Sequence, residues 1–190
     1  MTINRKQLII EAATKSFSLF GYKATTMDQV AKLANVGKGT IYTFFKNKEE
    51  LFNEIMMSLL QDMEEAATKS IDPQLPFKDN VHQALYSMLE FRLEHKLTIK
   101  LFQEDREIGT PVVQEAMQKM EDVILNFIKD KVETAIHKQE IKPCDPELTA
   151  FIFLKVYIAL IFDWEKNHQP LNKQDIAPLF DLYLLQGLSK

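Results

Sequence analysis

With 190 residues, 46% of them hydrophobic, the chain can bury a real core and is too apolar for a disordered tail. Its lone cysteine, Cys144, excludes an internal disulfide; the opening MTINRKQLII lacks the apolar run and cleavage site of a secretory signal; and the most apolar later stretch, 148–162, is broken by Lys155 and falls short of the roughly 20 residues that span a bilayer. The net charge of −4 hides an asymmetry: residues 1–48 hold eight Lys and Arg against Glu11 and Asp28, whereas the rest holds 15 basic and 25 acidic residues. A basic head on an acidic body points to a soluble, cytoplasmic protein whose head alone meets phosphate.

Read in chain order, the elements are all helical. Ile9, Ala13, Phe17 and Phe20 repeat at helical spacing and Gly21 follows, which predicts a first helix from Arg5 to Phe20 closed by a left-handed glycine. Thr26 and Gln29 form a capping-box pattern at the start of a short second helix, with Val30, Ala31 and Ala34 as its small apolar face. Gly37 and Gly39 flank Lys38 in a turn, and Thr40 to Phe45 form a third helix with Ile41 and Phe45 inward. Asn47 caps a fourth helix, which Leu51, Ile55, Leu59 and Met63 carry out of the head. Two short helices joined by a glycine-bearing turn, within about residues 25–44, have the layout of a helix-turn-helix, whose second helix can enter the major groove of DNA.

Beyond Ser70, Pro73, Pro76, Pro111 and Pro146 act as joints, and helices are expected near 77–94, 96–107, 111–138, 146–166 and 175–188. If the last helix starts at Asn172 rather than Asp175, Pro178 falls inside it and a kink is expected. AFIFLKVYIALIFDW (150–164) and IAPLFDLYLLQGL (176–188) are apolar nearly all round, which predicts a homodimer through the last two helices. The fold class is thus all-α with about nine helices: a helix-turn-helix domain over 1–48 and a ligand-binding and dimerisation domain over 49–190.

The segment ATTMDQVAKLANVGKGTIYTFFKNKEEL resembles the N-terminal signature of the TetR family of bacterial regulators, over roughly residues 5–55. The resemblance implies a dimer, an effector pocket in the body, and release from a palindromic operator when a ligand changes the separation of the two heads. It also implies roles for single residues. Thr26, Tyr42 and Lys48 would contact phosphate, Lys38 and Thr40 would make contacts at the start of the recognition helix, and Thr43 would face the groove. Phe44 stands where many members carry His or another polar residue; its ring either touches a thymine methyl or turns away. Gly37 and Gly39 independently suit close approach of the backbone to the sugar-phosphate chain.

Other motifs carry less. GKGT at 37–40 lacks the spacing of a phosphate-binding loop, His82, His95, His137 and His168 are too scattered for a metal site, and no nucleophile context suggests an enzyme. No catalytic residue, cofactor or metal is therefore expected. Glu90, Glu94, Glu104, Asp105 and Glu107 read as solvated helix faces, of which Glu90, Glu94 or Glu104 would face a cationic effector. Phe91, Phe102, Met117, Met120, Phe127, Phe151 and Tyr157, together with Phe153 and Trp164, are candidates to line a pocket for an apolar or amphipathic small molecule, although core packing explains each equally well. The expected partners are a double-stranded DNA operator, that effector and a second copy of the chain, with no membrane. The competing reading is a small-molecule-binding or protein-interaction helical module without DNA binding.

Overall fold

A computed structural model describes residues 4–189, the side chain of Lys173 excepted; Met1, Thr2 and Ile3, part of the opening read for a secretory signal, lie outside it. Nine main helices and no strand are found among the described residues: α1 Arg5–Ala24, α2 Met27–Leu33, α3 Lys38–Phe44, α4 Lys48–Lys69, α5 Phe77–Glu94, α6 Lys96–Glu107, α7 Pro111–His137, α8 Pro146–Ile158 and α9 Lys173–Phe180. α8 continues through a π turn, Ala159–Asp163, and a 3-10 turn, Trp164–Lys166; α9 continues through a π turn, Asp181–Leu185, and a last helical turn, Gln186–Leu188. None of these helices is long and apolar enough to cross a membrane.

The chain forms two compact units, one of Met1–Glu64 with Arg92–Lys119, the other of Glu65–Phe91 with Met120–Lys190. In the first, Phe17, Tyr22 and Phe52 make an aromatic centre: Phe52 meets Phe17 edge-on at 5.4 Å between centroids and Tyr22 at 4.8 Å. Ile9, Val30, Ile41 and Leu51 are fully buried around it, so α1 to α4 share one core. α6 belongs to this unit, a grouping by compactness that differs from the division at residue 48 expected from charge. In the second unit, Phe77, Leu89, Val132, Ile161, Ile176 and Phe180 anchor the core, with Cys144 packed at its margin.

Local signals set most boundaries. Thr26 caps α2 in a reciprocal capping box with Gln29, and Asn47 Oδ1 accepts from the Glu50 N–H at 2.8 Å to open α4. Asp145 caps α8 beside Pro146. The α2–α3 turn departs from expectation: its left-handed residue is Asn35 (φ 52°), not a glycine. Asn35 N–H bonds Lys32 C=O and Val36 N–H bonds Ala31 C=O, a Schellman closure in which Asn tolerates the positive φ. Gly37 is extended at φ −66°, and Lys38 and Gly39 are the first residues of α3 rather than turn residues.

α1 also differs. Its regular part ends at Gly21, whose φ 82°, ψ 171° lies in a region open essentially to glycine, and one further turn runs to Ala24. Phe20 is 55% exposed, not on the buried stripe, and Ser16 is fully buried there instead. α9 begins after Asn172, so Pro178 lies within it; proline cannot donate an amide hydrogen, and the wider π turn starts three residues on.

A Cβ at Gly21 would collide with the Glu104 carboxylate, in addition to the backbone strain. Gly21→Ala is expected to lower unfolding free energy by at least about 1–3 kcal/mol, measured by urea denaturation; an unchanged midpoint would show that this turn relaxes freely.

Candidate nucleic-acid interface

The helix-turn-helix presents one exposed face built from the N-terminus of α2 and the outer side of α3. Thr26, Gly37, Lys38, Gly39, Tyr42, Thr43 and Phe44 are exposed and Thr40 is half-buried, whereas Val30, Ala34, Ile41 and Phe45 turn inward. The inward set fixes the outward one: with Ile41 fully buried and Phe45 at 2% exposure, 3.6 residues per turn leaves 42, 43 and 44 on the free side of α3. Phe44 is 39% exposed, so its ring stays on the surface.

Thr26, Lys38 and Thr43 have defined partners on this face. Thr26 Oγ1 accepts from the Gln29 N–H at 3.3 Å while Gln29 Oε1 accepts from the Thr26 N–H at 2.9 Å, which leaves the α2 N-terminus capped and pointing outward. Lys38 Nζ donates to Asp28 Oδ2 at 2.9 Å, and that hydrogen bond and the neighbouring charge hold the ammonium above the usual lysine range. Both side chains are more than half exposed, so water screens the pair and the bond is easily exchanged. Thr43 Oγ1 donates to Thr40 C=O at 2.7 Å. Its proton is thus committed to the helix, and it offers outward a methyl and an oxygen that accepts.

Lys48 sits differently from the rest. Its Nζ donates to Tyr22 C=O at 2.7 Å and to Thr25 C=O at 2.8 Å and lies 4.2 Å from the Tyr22 ring centroid. Burial pushes its pKa down, against the opposing pull of the Glu104 charge. The Tyr22 phenol is pushed up by burial and then by the Glu49 and Glu104 charges. Lys48 therefore holds the turn before α2, a structural task that sequence reasoning missed because backbone carbonyls leave no trace in residue type.

Glu104 was also misread. It is 4% exposed, not a solvated carboxylate, and its oxygens accept from Tyr22 N–H, Lys23 N–H and Thr110 Oγ1, so it is not at hand for a cationic effector. Phe102 and Met117 belong to the first unit; Phe91, Met120, Phe127, Phe151 and Tyr157 belong to the second. Tyr157 packs against the second core, as Phe153 lies within it. Phe151 is 45% exposed beneath the Lys155 ammonium, Phe127 is half-buried beneath that of Lys131, and Trp164 is 45% exposed, stacked on His168 at 3.7 Å. No group of three or more His, Cys, Asp or Glu side chains suited to a metal occurs among the described residues.

A capped short helix, a tight turn and a second short helix with an outward polar face define a helix-turn-helix regulator. Residues 9–55 match the model for bacterial regulatory proteins of the tetR family. The chain is 66% identical over 189 residues to the uncharacterized HTH-type transcriptional regulator YhgD of Bacillus subtilis strain 168, covering 100% of this chain and 99% of that protein. It is 30% identical over 182 residues to a fatty acid metabolism regulator protein of the same organism, covering 90% and 87%. Among solved structures, the fatty acid degradation regulator FadR from Bacillus halodurans matches with TM-score 0.76 at 16% identity over 96% of this chain and 95% of that one. AibR, in complex with isovaleryl coenzyme A and operator DNA, matches with TM-score 0.69 at 22% identity over 93% and 96%. The chain belongs to the TetR family of transcriptional regulators.

Because the Thr26 hydroxyl satisfies an α2 amide, Thr26→Ala is expected to cost about 1 kcal/mol of stability in thermal unfolding, with Thr26→Ser near wild type. Equal losses in the two variants would remove the cap from the account.

Proposed function

We propose that this regulator is a cytoplasmic homodimer that binds a palindromic operator through residues 1–48 and is released when an amphipathic small molecule binds residues 49–190. The observation that carries the reading is the outward face of α3, where Lys38, Thr40, Tyr42, Thr43 and Phe44 are gathered at the edge of a cationic head and backed by a core that keeps them there. Lys38, Tyr42 and the α2 terminus at Thr26 would set register on phosphates, while Thr40, Thr43 and Phe44 choose sequence. Thr43, with its proton held by Thr40, would accept from an adenine or cytosine amino group or touch a thymine methyl, as would Phe44. Lys48 would contribute charge from beside Thr25, at the foot of α2.

Dimerisation is supported by the apolar side chains left open on the last two helices: Leu148, Phe151, Ile152, Leu182 and Tyr183 are 40% to 72% exposed. A two-fold pair of heads would meet successive major grooves about 34 Å apart. An effector that fits one spacing of the heads better shifts the population between binding and non-binding forms, and a coupling of about 1–3 kcal/mol would change operator affinity about 5- to 150-fold. The acyl chemistry in the descriptions of the Bacillus fatty acid regulators and of AibR supports an acyl-type effector.

The test is selection of duplexes from a random pool by wild-type protein, followed by affinity measurements at several salt concentrations. Lys38→Ala is expected to flatten the slope of log affinity against log salt by about 0.9 and to weaken all sequences alike. Thr43→Ala is expected to change the selected sequence by about 1–3 kcal/mol of discrimination at its own base position while leaving the salt slope unchanged. Salt-independent or absent duplex binding would favour the module without DNA binding.

A further inference from the structure

The turn that joins α1 to α2 is gripped from two sides by opposite charges. On its amide side, Glu104 of α6 accepts from Tyr22 N–H at 2.6 Å and from Lys23 N–H at 3.0 Å, and Thr110 Oγ1 donates to the same carboxylate at 2.8 Å. On its carbonyl side, Lys48 of α4 donates to Tyr22 and Thr25. Gly21 leaves room for the carboxylate, and the turn is closed internally by Thr25 Oγ1 donating to Gly21 C=O at 2.8 Å and pairing with Ser16 at 3.0 Å. Thr25 is fully buried and is followed directly by Thr26, the cap of α2.

We infer that Glu104 is a positioning residue for DNA binding, fixing the α1–α2 turn so that the α2 N-terminus and Lys48 are held ready for phosphate. A carboxylate buried to this degree with three donors is a rigid point, since each charge-assisted bond is directional and any withdrawal would leave the buried Tyr22 amide without a partner and the part-buried Lys23 amide to solvent. Glu104 touches no exposed face and would touch no DNA. It acts through the peptide groups of Tyr22 and Lys23. The inference rests on the regulatory reading above and adds to it a residue, on α6, outside the helix-turn-helix.

Glu104→Gln keeps the shape but turns one acceptor into an NH2 group facing a donor. In the full-length protein, its expected effects are amide hydrogen exchange at Tyr22 and Lys23 faster by about tenfold or more, and affinity for the duplex selected by wild type weaker by about tenfold, the scale of one charge-assisted hydrogen bond. The salt slope should not move, because no phosphate contact is removed. In a double-mutant cycle with Thr26→Ala, the affinity losses should be less than additive, since both act on the same helix end. Thr110→Val, which removes a donor and leaves the charge, should shift exchange and affinity in the same direction by a smaller factor, and it decides the matter should Glu104→Gln unfold. Unchanged exchange at Tyr22 and Lys23, or wild-type affinity in the variants, or strictly additive losses, would overturn the inference while leaving the regulatory reading standing. Failure of the wild-type protein to bind any duplex would overturn both.

Discussion

Buried peptide groups must find partners, and the five residues from Gly21 to Thr25 show how far a fold goes to meet that demand. The helical hydrogen-bond ladder breaks there, so the amides and carbonyls that a helix would pair internally are left to others. A carboxylate from α6 takes amides, an ammonium from α4 takes carbonyls, and a threonine hydroxyl closes the remaining gap. The helix-turn-helix face depends on this, because the next residue, Thr26, caps α2 and α3 packs against α2.

The arrangement also explains why a basic head tolerates two buried or half-buried charges near its base. Isolated, either would be costly to remove from water. Placed on opposite sides of one turn, each is met by fixed backbone dipoles, and each lies in the favourable field of the other, as the opposing influence of Glu104 on the Lys48 pKa reflects. The surface pair of Lys38 and Asp28 is of another kind. Open to solvent, it constrains little and leaves Lys38 able to exchange a carboxylate for a phosphate.

Much of this was legible in the sequence wherever the signal is local. The capping box at Thr26, the Asn47 cap, the proline-opened helices α7 and α8, and the inward Ile41 and Phe45 all follow from spacing within four residues. What was not legible depends on partners far apart in the chain or on groups every residue shares. Glu104 lies 82 positions from Tyr22 and bonds to its backbone, so no pattern of side chains could point to it. Gly37 and Gly39 drew attention as turn residues because glycine permits positive φ, yet Asn35 took that role and the glycines took the cap and first turn of α3. The apolar body residues could not be sorted into pocket and core, since Phe153 and Phe151 are alike in composition and opposite in exposure.

The π turn at Asp181–Leu185 carries one more residue than an α turn would over the same rise. Everything after it is therefore rotated by about 100° relative to an unbroken helix. A helical wheel drawn straight through from Asn172 would therefore misplace every residue beyond the π turn; in the folded chain the Leu188 carbonyl accepts from the Lys142 amide at 2.9 Å and Ser189 bridges Ile141. The last helical turn is fastened in this way onto the loop ahead of α8, and any comparison of this helix with a relative must first ask whether the relative keeps the π turn.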